Sequence, residues 1–344
     1  MLRVVPVVLL LAPLSAAQQP VAAPCDLIRS LNARHDGQQA LAGKQFAAAA
    51  KAFQEALDAC PSQHAALLEL SQAHLQLREW PAAIHAAQQF VELEPDSVPG
   101  RLALADACFM AQRLPEALAQ IKIVLQTEPS QAAALKLKGN IEYLTGQLDS
   151  ALNTFIVLLD RHPEDDEGAY MLGRIYYQEK RIDYAIGQFQ RALKINPQSY
   201  KAYDNLGLCY QALGDNALAT RYFLTAIKLV EKDHPEYDWA YANLSGLLYD
   251  EGDFGKAYDA AAKAADRNPY SARNFYFGGK ALAKLGKNEL CVNWLERAVA
   301  LDPNYPEPLY LLARVYSQLG QADKAKAALE KFQALKATAP RERK

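Results

Sequence analysis

Few of the side chains that carry out chemistry are present in this chain. Its 344 residues include six histidines, five cysteines, three methionines and three tryptophans. There is no glycine-rich phosphate loop, no pair of cysteines at zinc spacing, no Gly-x-Ser-x-Gly and no His-Glu-x-x-His. His64, His74 and His85 are scattered at ordinary helix positions and make a poor ligand set. These gaps argue against an enzyme, a metal centre and a small-molecule cofactor. An excess of one charge is also missing: 37 basic residues stand against 39 acidic ones, a formal charge of −2. Nucleic acid is thereby excluded as a partner. No apolar run reaches the roughly 20 residues needed to cross a bilayer as a helix. Finally, no Gly/Ser-rich or Pro-rich linker divides the chain, which therefore reads as one repetitive array and not as two or three globular domains.

What is present is a period. Gly207 stands in "YDNLGLCYQALGDNALATRYFLTAI", an otherwise helical run, although glycine inside a helix costs roughly 1 kcal/mol relative to alanine. Steps of 34 residues from it always meet a small residue: Gly37, Ser71, Ala105, Gly139 and Gly173 before it, then Ser245, Gly279 and Ala313. A second series runs Ala49, Ala83, Ala117, Ala151, Ala185, Ala219, Ala257, Cys291, Ala325, and a third runs Pro61, Pro95, Pro129, Pro163, Pro197, Pro269, Pro303. Each series has one step lengthened by four residues, which places an insertion in "EKDHPEYD", near 231–238. Apolar residues recur at three- and four-residue steps, as in Leu206, Tyr210, Leu213 and then Leu218, Tyr222, Ala226, so each unit is two amphipathic helices. Gly146, Gly214, Gly252, Gly286 and Gly320 mark turns between them. One such hairpin cannot bury its own apolar face, so the copies must stack. The small residues then let helix backbones approach closely, and bulky residues such as Phe223 fill the gaps.

A 34-residue unit with small residues in its first helix, alanine in its second, an aromatic four residues later and a closing proline resembles the tetratricopeptide repeat. The copies at 169–197 and 202–227 match best. In the first, Gly43-Lys44-Gln45-Phe46 reads as carrying one extra turn residue, and in the third Arg101 and Cys108 replace the usual aromatics. The resemblance covers about residues 26–337. It implies an all-α fold, a right-handed superhelical solenoid of about nine helix-turn-helix repeats over 30–337, followed by a polar tail at 338–344. The insertion is expected to disturb the array locally without ending it.

The first residues are of another kind. "MLRVVPVVLLLAPLSAA" has an early Arg3, a short apolar run from Val4 to Leu14 and small residues at Ser15 and Ala17, as in a secretory signal peptide. Residues 1–17 are read as that signal and 18–29 as a short lead-in. The expected location is periplasmic or secreted, with no transmembrane span after signal removal; an uncleaved segment would instead serve as an N-terminal anchor. Cys108, Cys209 and Cys291 fall at packing positions and read as buried thiols. Cys25 and Cys60 lie at the start of the first helix and the end of its antiparallel partner, ends that meet in a hairpin. An oxidising compartment permits a disulfide there.

The resemblance also implies where a protein or peptide partner binds: in a concave groove lined by the first helix of each hairpin. Positions six and three before the small marker and one and four after it share one face. They select Lys136, Asn140 and Tyr143; Glu167, Tyr170, Arg174 and Tyr177; Lys201 with the adjoining Asn205; Trp239 and Tyr249 with Asn243; Arg273, Tyr276 and Lys280; and Glu307, Tyr310 and Arg314. This stripe is aromatic and basic in a slightly acidic chain, which suits an extended acidic segment or a terminal carboxylate. Members of the family that bind chaperones use a clamp of Lys, Asn, Asn, Lys and Arg over three copies. Lys136, Asn140 and Lys201 fall at matching places, but Met171 replaces the middle Asn and Asn205 the Arg. The reading is thus a non-catalytic adaptor or scaffold of the cell envelope. The alternative is an accessory subunit of an envelope enzyme or export machine, docked by its convex face or ends.

Overall fold

The computed structural model describes residues 25–338; the expected signal at 1–17, most of the lead-in and most of the polar tail lie outside them. Among the described residues there are eighteen α-helices and no strand. The chain divides into two compact units after Pro129. Unit 1 holds α1 (Leu27–Ala42), α2 (Phe46–Ala59), α3 (Ala65–Gln76), α4 (Trp80–Leu93), α5 (Val98–Met110) and α6 (Leu114–Thr127). Unit 2 begins with α7 (Ala132–Leu144), α8 (Leu148–Arg161), α9 (Asp166–Gln178), α10 (Ile182–Ile195), α11 (Tyr200–Ala212) and α12 (Asn216–Asp233). It ends with α13 (Trp239–Asp250), α14 (Phe254–Arg267), α15 (Ala272–Lys284), α16 (Asn288–Leu301), α17 (Pro306–Gln318) and α18 (Ala322–Thr338). Each odd-numbered helix pairs with the next even one, and within each unit successive hairpins stack. The first helix starts directly after Asp26, which accepts a hydrogen bond from the Arg29 amide at 3.1 Å and caps it.

Every hairpin turns through one residue in the left-handed region. Gly146, Gly214, Gly252, Gly286 and Gly320 do so, and so do Lys44, Arg78, Gln112 and Lys180, with φ between 57° and 61°. The extra turn residue expected in the first copy is absent. Its connection, Gly43 to Gln45, is as long as the others, but the glycine sits one place early at φ −77° and Lys44 takes the left-handed conformation. Gly214→Ala is therefore expected to lower stability by about 1 kcal/mol. Gly187 lies inside α10 with open space around its Cα, so Gly187→Ala should instead raise stability by about 0.5–1 kcal/mol. Denaturant midpoints moving the same way in both variants would contradict this account of the turns.

The small markers lie under the side chain sixteen residues on. A Cβ added at Gly37, Gly139 or Gly173 would meet the ring of Phe53, Phe155 or Phe189 at 2.6–2.7 Å, and one at Gly207 would strike Phe223. Gly279 faces Leu295 instead of a ring. Where the marker is larger, its partner is smaller: Ala105 is paired in this register with Ile121, and Ser71 and Ser245 with Ala87 and Ala261. The two serines use the freed space for a hydrogen bond across the hairpin, to the carbonyls of Ala83 at 2.9 Å and Ala257 at 2.8 Å. The volume lost at Ala87 reappears as Phe90, whose ring seats on Gly100.

Two further features complete the frame. Cys25 and Cys60 are disulfide-bonded with Cα atoms 4.3 Å apart, and Cys108, Cys209 and Cys291 are buried and free. The bond spans a sequence separation of 35 residues on a hairpin that, among the described residues, has a neighbour on one side only, where a cross-link contributes at most roughly 3–4 kcal/mol in the chain-entropy model. Alkylation of the protein denatured without reductant, followed by intact mass, should count three free thiols; a count of five would contradict the bond. The insertion adds one turn to α12, which has 18 residues where α10 has 14. The Arg267 guanidinium then ties the loop after it to α14, donating to the carbonyls of Val230, His234 and Pro235 at 3.1–3.4 Å.

Candidate protein-binding surface

In unit 2 each first helix touches the next first helix, from α7 through α9, α11, α13 and α15 to α17, whereas no second helix touches another second helix. The first helices therefore form the inner, more closely spaced wall of this unit. The residues expected to line a groove all lie on this wall, and the structure gathers them into two groups.

The first group joins α7, α9 and α11. The Arg174 guanidinium donates to the Tyr143 hydroxyl at 3.1 Å and lies 4.7 Å from the Tyr143 ring and 5.9 Å from that of Tyr170. Burial pushes the Tyr170 phenol up to about 12, so it stays protonated, and its oxygen accepts from the Asn205 amide at 3.4 Å. Asn205 also donates to the Lys201 carbonyl, while the exposed Lys201 amine stands 5.9 Å from the Tyr200 ring. Asn140 and Tyr177 are half-buried beside them. Lys136 differs, since its charge is taken up by Asp165 at 3.1 Å and Glu167 at 3.4 Å. Met171, where the chaperone clamp has Asn, is buried. The clamp is thus not assembled.

The second group joins α13, α15 and α17. The Arg273 guanidinium lies 4.6 Å from the ring of Trp239, which is 54% exposed, and 5.1 Å from Phe277. Lys280 places its amine 3.8 Å from the Tyr249 ring. Burial, helped by Asp250, raises the Tyr249 phenol above its ordinary value, and the exposed Arg314 opposes this only in part. Tyr276 packs edge-on against Tyr305, and the exposed Tyr310 rests on Phe332 of α18. Among the described residues, Arg174, Lys201, Arg273, Lys280 and Arg314 have no carboxylate within ion-pairing distance. Four of the five lie against aromatic rings, a geometry that orients a cation without neutralising it.

One expected groove residue is corrected. Asn243 is only 5% exposed, and its amide is spent on its neighbours: it donates to Asp204 Oδ1 at 2.9 Å and accepts from Arg273 at 2.5 Å. Asp204, Tyr237 and Asp238 belong to the same constellation and were not singled out by sequence reasoning. The available signal was Asp204 itself, three residues before Gly207, where the copies marked by Gly173 and Gly279 carry Tyr170 and Tyr276. Among the described residues no group of His, Cys, Asp and Glu could hold a metal, and no helix is long and apolar enough to cross a membrane.

Family models described as tetratricopeptide repeats match residues 37–97, 68–132, 102–156 and 136–200, then 200–233 and 306–338, and also 279–320. Together they span more than half of the chain, which belongs to the tetratricopeptide repeat family. Proteins of this family are protein-interaction scaffolds. The chain is similar to the protein CTR9 homolog of Arabidopsis thaliana, 34% identical over 132 residues, which are 34% of this chain and 12% of that protein. It is also similar to the TPR repeat-containing protein YpiA of Bacillus subtilis, 35% identical over 107 residues, 30% of this chain and 25% of that one. The match thus spans only about an eighth of the first relative and a quarter of the second. Among solved structures, a tetratricopeptide repeat protein from Parabacteroides merdae aligns with a TM-score of 0.58 at 18% identity, covering 78% of this chain and 98% of that one. The APC/C hetero-tetramer Cut9–Hcn1 aligns with a TM-score of 0.61 at 14% identity, covering 93% and 76%. These two likenesses concern the fold alone.

Proposed function

We propose that this chain is a non-catalytic adaptor of the cell envelope whose second unit holds an extended acidic segment of a partner protein along α7–α17. The observation that carries the reading is the set of cations with no carboxylate in contact: Arg174 and Lys280 against rings, Lys201 and Arg314 exposed, and Arg273, which Asp204 reaches only through Asn243, against Trp239. A carboxylate of the partner completes each with a charge-assisted hydrogen bond, worth roughly 1.5–3 kcal/mol. Location in the envelope rests on the signal-like residues 1–17 and on the Cys25–Cys60 bond, which an oxidising compartment maintains.

A second reading has an observation of its own. Ile156 and Val157 are adjacent and exposed on the outer helix α8, and Leu224 is exposed on α12, which favours docking of an accessory subunit by its second helices. Photo-cross-linking in envelope extract separates the two. On the adaptor reading, the partner captured by the exported chain is lost when Arg174, Lys280 and Arg314 are changed to Glu. Capture that ignores this variant and is lost with Ile156→Lys moves the function to the outer face.

A further inference from the structure

The insertion after α12 does more than lengthen a helix. It carries the Tyr237 hydroxyl over α11, where it donates to Asp204 Oδ2 at 2.7 Å. Asp204 is 2% exposed and its other oxygen accepts from the Asn243 amide at 2.9 Å. The Asn243 oxygen in turn accepts from Arg273 at 2.5 Å, and that guanidinium lies against Trp239. The line from loop to binding surface runs through four elements without a break: Tyr237, Asp204 on α11, Asn243 on α13, Arg273 on α15. The next residue, Asp238, fastens the end of the loop a second time by accepting from Asn274 at 2.6 Å and from Asn268 at 3.4 Å.

We infer that Asp204 and Tyr237 are positioning residues of the binding surface: they hold Arg273 against Trp239 and set how much of its charge reaches an acidic partner. The statement about the partner rests on the adaptor reading; the tether itself does not. The charged and titratable groups that face Asp204 are Arg273 from α15, which favours the carboxylate, and Asp238 from the start of α13, which disfavours it; the phenols of Tyr237 and of Tyr170 on α9 complete the ring. Burial pushes Asp204 up to about 6, against the opposing effect of its two hydrogen bonds and Arg273. Above that pH the carboxylate offsets the charge of Arg273; below it the offset is gone. The affinity for an acidic segment therefore rises as pH falls through about 6, provided the pH stays above the usual glutamate value of about 4.3. Stability follows the same sign. A carboxyl raised in the folded state takes up its proton on folding, so its contribution grows as pH falls from about 6 toward 4.

The test needs no natural partner. The emission of Trp239 is isolated by subtracting the Trp239→Phe variant of the full chain, and is followed from pH 5 to 8. The expected result is a transition centred near 6 in the parent, none in Asp204→Asn, and a higher midpoint in Tyr237→Phe, which removes a donor to the charged form. In parallel, labelled hexaglutamate should bind Asp204→Asn about fivefold more tightly than the parent at pH 7.5 and equally at pH 5.5. A Trp239 signal that ignores pH, or titrates unchanged in Asp204→Asn, overturns the inference. If hexaglutamate binds and Lys280→Glu releases it, while Asp204→Asn alters neither signal nor affinity, the tether falls and the adaptor reading stands. If Trp239 follows Asp204 but no form binds hexaglutamate, the positioning role stands and the acidic-segment reading falls.

Discussion

Gly207→Leu is expected to destabilise unit 2 by at least about 3 kcal/mol, more than any substitution on its surface. The first atom of the new side chain would enter the ring of Phe223, which is fully buried, so neither can move aside without opening the hairpin between α11 and α12. The chain itself suggests the rescue. Gly279 is matched with Leu295 rather than Phe, and Ala105 with Ile121. Gly207→Ala should accordingly be costly alone, and much of that cost should vanish in Gly207→Ala with Phe223→Leu, a coupling of about 1 kcal/mol or more between residues in contact. Guanidinium denaturation followed by circular dichroism measures all three variants. Strict additivity would show that the marker and the ring do not share one space.

Lys280→Glu is expected to weaken binding of an acidic segment about tenfold or more, the equivalent of one lost charge-assisted contact of at least ~1.4 kcal/mol. Arg174→Glu should do the same at the other end of the wall. Folding stability should change by no more than about 0.5 kcal/mol in Lys280→Glu, whose side chain is only half-buried. Lys136→Glu makes the informative comparison, since Asp165 and Glu167 already neutralise that lysine. It should weaken binding less than about threefold even though it belongs to the same stripe. Fluorescence anisotropy with one acidic probe orders the three. Equal losses for Lys136 and Lys280 would mean that net charge, and not the ring-held cations, governs recognition.

The period of the chain was legible because packing of a small marker under a bulky residue recurs at a countable interval. Gly37, Gly139, Gly173 and Gly207 each lie beneath a phenylalanine sixteen residues on. The turns were legible only where glycine marks them. Lys44, Arg78, Gln112 and Lys180 adopt the same left-handed conformation, but nothing in the residue type announces it, and the displaced Gly43 suggested an extra residue that is not there. For the candidate surface, a face of a helix can be read from spacing within that helix, which is why Tyr170, Arg174, Tyr276 and Lys280 could be assigned to one stripe. What a side chain spends its hydrogen bonds on cannot. Asn243 looked available until its partners proved to be Asp204 and Arg273, 39 and 30 residues away. Tyr237 hid in a stretch that reads as a charged insertion, and its contact with Asp204 spans 33 residues.

The most direct measurement of the account is a titration of labelled hexaglutamate into the full chain at low and at moderate salt, repeated with hexalysine and with the variant carrying Arg174→Glu, Lys280→Glu and Arg314→Glu. The account predicts binding of hexaglutamate alone, weakening as salt screens the exposed charges, and abolished in the triple variant while its helical content is unchanged. Hexaglutamate affinity that is the same in the triple variant as in the parent would contradict it.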